Sequence, residues 1–405
     1  MKSIGKYSLI ALAFASFGCG AQAPKRSAPQ AVLSATELRA DHSLVVEVPK
    51  VDILFVVDNS MSMKVHQEKL AQNISEFVEE FSSKATLDYH IGVVTIWDHH
   101  PGHDIAVGSE HPKGALIPLQ IPVDSSPENL NNPKSFMSPR QNLLVNGTMP
   151  PRYVTKNTEN KIPILKSTLF LGEEWGPQYE EMFSPVLSFF EAANLNGPNA
   201  GFLRSDAYLL VVFITDANDG SVIKDASGND VVVTPQMVKD TLYATKQGVA
   251  SKVRIFGILS PTGSQCREDA AGRPYKFNEL LRITNGKQAS LCSDFGSQLA
   301  SYGRDFSSEV SRQVIPNIPN PDENQTFSVS YGSQVVPKAT AGHLDEGWSY
   351  NPNLYQITIG GNLKLKPEPG AQIKVDLTPV TLENLPNSPT MTPPLEPGTQ
   401  TAPSN

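Results

Sequence analysis

Asp58-Asn59-Ser60-Met61-Ser62 places one carboxylate and two hydroxyls at alternate positions, directly after the apolar run Val51 to Val57. All three side chains offer hard oxygen donors, which suit Mg²⁺, Mn²⁺ or Ca²⁺ rather than ions that favour thiolate or imidazole. A further acid, Asp216, ends another apolar run, Ala207 to Thr215. Parallel neighbouring strands end on the same sheet edge, where open α/β sheets bind ligands, so Asp58 and Asp216 can meet at one cation. A different chemistry is offered by Asp98-His99-His100-Pro101-Gly102-His103-Asp104. Clustered imidazoles can take Zn²⁺, Cu²⁺ or Ni²⁺, but no second ligand set accompanies them, and a solvated polar loop is the simpler reading.

These residues need a scaffold, and the apolar patterning supplies one. Val51 to Val57, Tyr89 to Ile96, Ala207 to Thr215 and Val253 to Leu259 read as strands buried on both faces. Between the first two, Met63 to Phe81 sets Leu70, Ile74, Phe77, Val78 and Phe81 on one helical face. Lys64, His66, Gln67, Glu68 and Gln72 take the polar side. Tyr179 to Asn194 is a second helix, with Ser184 as its N-cap before Pro185, and Thr234-Pro235 opens a third. The alternation predicts an α/β fold: a doubly wound, mostly parallel sheet over residues 43–316. An extra strand at 43–48 stands outside that sheet, Gly114 to Val123 is an edge strand, and 124–161 is a long loop rich in Pro, Asn, Ser and Thr. From 317 to 380 the pattern turns to period-two alternation with turns at Gly332-Ser333, Gly360-Gly361 and Pro369-Gly370, which predicts a small antiparallel β unit. Residues 381–405 have the composition of a disordered tail.

With strand, oxygen-bearing turn and amphipathic helix in this order, the chain resembles the von Willebrand factor A (VWA) family, whose metal-ion-dependent adhesion site (MIDAS) opens with the Asp-x-Ser-x-Ser motif. Asn199-Ala200-Gly201-Phe202-Leu203-Arg204-Ser205-Asp206-Ala207, leading into Phe213-Ile214-Thr215-Asp216, resembles a pattern of exported bacterial members. The resemblance implies a VWA or Rossmann-like sheet in which Ser60 and Ser62 ligate through their hydroxyls, and Asp58 and Asp216 bind directly or through water. It also implies Mg²⁺, or Mn²⁺ or Ca²⁺, as cofactor and a protein partner that completes the coordination with an oxygen, normally from Asp or Glu. The family places a threonine ligand on a loop before the middle helix. Gly172-Glu173-Glu174-Trp175-Gly176 resembles that loop, with Glu173 at the threonine position. Either Glu173 donates a carboxylate or water replaces the missing ligand, and a third carboxylate would weaken the cation's pull on an acidic partner.

Met1-Lys2-Ser3-Ile4-Gly5-Lys6, the apolar stretch Ser8 to Phe17, then Gly18 and Cys19, have the order of a secretory signal. Ser16-Phe17-Gly18-Cys19 resembles a bacterial lipobox, which implies a signal peptide over 1–18, a lipid anchor to the membrane on Cys19 and a flexible tether over 19–42. Ordinary cleavage near Ala21-Gln22-Ala23 is the alternative. Gly20 resembles an outer-membrane sorting signal, so the expected location is the bacterial cell envelope. Three cysteines are an odd number for an exported chain. With Cys19 acylated, Cys266 and Cys292 are left to pair, closing a loop of about 26 residues for about 3 kcal/mol.

A net charge of −8, from 33 Lys and Arg against 41 Asp and Glu, argues against a nucleic-acid partner. No Gly-x-Ser-x-Gly elbow, phosphate-binding Gly-x-x-x-x-Gly-Lys or His-Glu-x-x-His occurs, so no enzyme is expected. The first reading is an envelope lipoprotein that binds or adheres to another protein through a divalent metal. Its rivals are an assembly component whose metal only stiffens the sheet edge, and a metal-dependent hydrolase with Glu173 as its sole candidate base.

Overall fold

The protein is described by a computed structural model over residues 32–33, 36–38, 43–97, 112–132, 134–171, 180–261, 273–318 and 325–381. The candidate residues Cys19, His99, His100, His103, Glu173 and Cys266, with the signal, most of the tether and the tail, lie outside the described residues. Every described residue belongs to the compact unit Ala31–Asn405.

The long apolar runs form the centre of a six-stranded mixed sheet. In chain order its elements are β1 (Lys50–Val57), α1 (Lys64–Ser82), β2 (Asp88–Thr95), β3 (Tyr153–Thr155), α2 (Lys161–Leu169), α3 (Phe183–Phe189) and β4 (Tyr208–Thr215). Then follow α4 (Pro235–Ala244), β5 (Val253–Leu259), α5 (Tyr275–Thr284), β6 (Lys287–Ser290) and α6 (Phe295–Ser311). Strands lie in the order β6-β5-β4-β1-β2-β3, parallel except for the antiparallel edge β3. Strand alternation divides the core between the two faces. Val51, Ile53, Phe55 and Val57 pack with α1, α2 and α6, whereas Leu54 and Val56 pack with α3, α4 and α5. Leu70, Ile74, Phe77, Val78 and Phe81 of α1 are all fully buried, as helical spacing requires of a core-facing stripe.

Several expectations are corrected. Gln120–Pro122, within the anticipated edge strand, pairs with Arg140–Asn142 in a separate two-stranded sheet. The edge place goes to β3, where Tyr153 stacks on the His90 ring at 4.4 Å and meets Phe202 edge-on. The region 124–161 is therefore not one loop, for it also carries the single-turn helix Pro127–Leu130 and a 3-10 turn at Ser135–Met137. The anticipated second helix is split into α3 and the short Ala192–Leu195. Ser184 lies inside α3 and does not cap it. Asp219, from beyond β4, accepts hydrogen bonds from the Met182 and Phe183 amides at 2.9 Å each, doing a local cap's work from a distance. Thr234 does cap α4, accepting from the Met237 amide at 3.3 Å, with Pro235 at the first helical position.

A second core lies between two further sheets. One has the order Gln334–Val335, Gln325–Tyr331, Ile373–Thr381, Ser43–Val46, Thr36–Leu38, and the other Val32–Leu33, Gln313–Ile315, Gln356–Ile359, Trp348–Asn351. Leu44, Val46, Phe327, Val329, Ile373 and Val375 of the first pack against Ile315, Trp348, Ile357 and Ile359 of the second. Segments on both sides of the α/β sheet in sequence thus build one β body, with Val46 paired to Ile373. It is bonded to the α/β part by Tyr331 Oη donating to Ala85 O at 3.1 Å and by the Arg312–Asp345 ion pair at 2.6 Å.

Candidate metal site

β1 hands its pairing on to the turn that follows it: the Asp58 amide donates to Ile214 O on β4 at 3.0 Å. A 3-10 turn over Met61–Met63 then leads into α1, started by Met63 N donating to Ser60 O at 3.0 Å. Gln67 belongs to the polar side of α1 by pattern, yet it is buried, because its Nε2 donates to Asp58 O at 3.1 Å and clamps the helix to the turn.

Asp58 is fully buried and held by neutral donors. The Ser60 amide reaches Oδ1 at 2.8 Å, and Thr215 Oγ1 reaches Oδ2 at 2.7 Å. Because Thr215 Oγ1 also accepts from the Ala217 amide at 3.0 Å, its own proton points to Asp58. Ser60 and Ser62 keep their hydroxyls 3.1 Å apart, Ser60 buried and Ser62 exposed. Asn59 accepts from Thr95 Oγ1 at 2.6 Å, which ties the turn to the end of β2.

Glu180 is the residue the sequence reading missed. One carboxylate oxygen from each of Asp58, Glu180 and Asp216 lies within 4.8 Å of the other two. Among the described residues no other three His, Cys, Asp or Glu side chains are gathered in this way. Backbone bonds position Glu180: Gly220 N donates to its carbonyl at 2.9 Å, and Glu181 exchanges hydrogen bonds with Trp97 beyond β2 at 2.9 and 3.0 Å. The sole local signal is the acid pair Glu180-Glu181 just before the apolar face of α3.

Burial first, and then the neighbouring Asp216 charge, push the Asp58 carboxyl up to about 6. His66 also faces this region, contrary to its place on the polar side. Its Nδ1 is buried with no hydrogen-bond partner among the described residues, and burial pulls its pKa down against the opposing pull of Asp216. The gathered donors are carboxylates, with two serine hydroxyls beside them, so the residues present fit a hard divalent cation and lack the thiolates or imidazole pairs of a softer site.

Cys292 is disulfide-bonded, and its partner is outside the described residues. No described helix is long and apolar enough to cross a membrane.

No family model matches the chain, and no curated protein matches it. Among solved structures it is similar to the pilus adhesin SpaC from Lactobacillus rhamnosus GG in its open conformation, at 11% identity and a TM-score of 0.34. That match covers 82% of this chain and 40% of the adhesin. Proximal thread matrix protein 1 from the mussel byssus is 12% identical with a TM-score of 0.35, covering 68% of this chain and 51% of that one. A point mutant of the PilB minor pilin from Streptococcus sanguinis is 9% identical with a TM-score of 0.30, covering 64% and 61%. The chain therefore spans less than two thirds of each of these proteins, and at such TM-scores the likenesses carry no argument about what it binds.

Proposed function

We propose that this chain is an exported, lipid-anchored VWA-type protein that binds another protein through a divalent cation held at Asp58, Ser60, Ser62 and Asp216. Glu180 joins them as a third carboxylate, with Glu173 as a further candidate ligand in the place that water would otherwise fill. The observation that carries the reading is the meeting of Asp58, Glu180 and Asp216 on the edge where β1 and β4 end. The cation would supply an electropositive centre for a partner's oxygen, and this chain's residues would hold it in place. Their positions come from core-packed strands, so cation removal should cost binding before it costs fold.

A second reading draws on the same geometry. Three carboxylates more than neutralise a divalent ion, which weakens its attraction for an acidic partner and suits a cation that only stiffens the sheet edge. Calorimetric titration of the full chain with Mg²⁺ and Mn²⁺ tests both. Saturable binding that Asp58→Ala abolishes, with secondary structure intact, is expected. No saturable binding at millimolar cation would overturn both cation readings. Lipid attachment is tested separately by Cys19→Ser, which should release the protein from the membrane fraction.

A further inference from the structure

A cavity of about 520 Å³ opens beside the metal turn, with Asn59 and Thr95 in its wall. Its opposite wall is built by the Gln120–Pro122 and Arg140–Asn142 strand pair and by the end of α2. These parts are fixed to one another, since the Gln120 amide donates to Thr168 Oγ1 at 2.9 Å and Arg140 Nη1 donates to Ser167 O at 3.0 Å.

Two groups in this wall have unmet chemistry. The half-buried Arg140 guanidinium stacks 5.0 Å from the Phe170 ring centre, yet no carboxylate pairs with it among the described residues. Its burial is offset by no opposite charge. Nη1 is committed to Ser167, while the other guanidinium donors have no protein acceptor there. The Ser167 hydroxyl is fully buried and likewise has no hydrogen-bond partner. The remaining Arg140 donors open onto the cavity, and an arginine fork is shaped for a planar acceptor with two oxygens. The rest of the wall is partly apolar, with Ile117, Phe170 and Leu171.

We infer that this cavity is a second binding site, which takes a single carboxylate carried on an apolar body, its oxygens on the Arg140 guanidinium and its carbon chain against Ile117, Phe170 and Leu171. A carboxylate fits better than a phosphate. One guanidinium balances one negative charge, and a dianion would leave a charge uncompensated beside the Asp58, Glu180 and Asp216 carboxylates. The site uses none of the metal ligands, so it stands whether or not a cation binds at Asp58. The carboxylate's source is either the C-terminus of a protein partner or a free carboxylic acid.

The test is calorimetry on the full chain in EDTA, with N-acetyl-leucine against its neutral counterpart N-acetyl-leucinamide. The acid should bind at least about tenfold more tightly than the amide. Arg140→Gln should remove that preference, and Arg140→Lys should restore part of it. Thermal unfolding of each variant serves as the control for folding. A tripeptide ending in leucine that binds more tightly than hexanoate would assign the site to a chain terminus, and the reverse order to a free acid. Equal binding of acid and amide by the wild-type chain, or an undiminished preference in folded Arg140→Gln, would overturn the inference.

Discussion

β1 carries two buried carboxylates, Asp52 near its start and Asp58 just past its end, and they meet opposite surroundings. Both are fully buried, and burial raises the pKa of each. Asp52 is answered by cations. Arg204 donates to it through Nε and its own amide at 2.8 Å each, and Lys246 Nζ is 3.5 Å away. Asp58 is answered by a hydroxyl and an amide, and its nearest charged influence is another acid. A strand that needed only to fold would treat its two acids alike. The difference marks Asp52 as a tie between elements, whereas Asp58 is the acid on which the proposed cation site rests.

The largest effect should come from breaking the answered acid. Asp52→Ala leaves the buried Lys246 without its counter-charge and Arg204 with Asp88 alone, and should cost about 3–5 kcal/mol in urea unfolding. A loss below about 1 kcal/mol would show that the two acids are less different than their surroundings.

Asp58→Asn should act in the opposite direction in the absence of cation. The folded-state pKa of Asp58 stands above the unfolded value of about 3.9, so the folded chain binds that proton more tightly. This carboxyl therefore favours folding below about pH 4, and the advantage is lost as pH rises through about 6. In EDTA the variant should match the wild type near pH 4 and exceed it by about 1–3 kcal/mol at pH 7.5. Saturating Mg²⁺ should reverse the order by stabilising only the wild type, by about 4.1 kcal/mol at a thousandfold excess over Kd. The pH dependence of urea midpoints, with and without Mg²⁺, reads both effects.

The smallest effect concerns Glu180. Glu180→Thr should keep cation binding but weaken it by roughly tenfold, while raising the attraction of the bound cation for added acetate. Unchanged Mg²⁺ affinity would remove Glu180 from the site.

The strands around this site were legible because each is a long, unbroken apolar run. Val51 to Val57, Tyr208 to Thr215 and Val253 to Leu259 carry enough hydrophobicity to announce burial on both faces, and α1 announces its stripe. β3 and β6 did not announce themselves. Each is short and lacks an apolar run, and each pairs at an edge whose register the neighbouring long strand decides. The site divides in the same way. Asp58 and Asp216 stand where strands end, a position visible in sequence, whereas Glu180 is held near them by its own backbone bond to Gly220 and by that of Glu181 to Trp97, which no local pattern encodes. Gln67 and Ser184 show the same limit on helices: tertiary hydrogen bonds overrode what their spacing and residue type suggested.

The pairing of Val46 with Ile373 sets an order of events in time. Ser43–Val46 emerges from synthesis before the α/β sheet, but its sheet partner Ile373–Thr381 arrives only after that sheet is complete. Until then Ser43–Val46 can pair only with Thr36–Leu38 and keeps its other edge open, and closing that edge carries the loop entropy of almost the whole chain between. The α/β part, whose strands follow one another at short range, can assemble first and hold the two ends near each other. A chain stopped before Ile373 would keep Asp58, Glu180 and Asp216 while leaving Ser43–Val46 without one of its two strand partners. Completion of the β body thus waits for Ile373–Thr381.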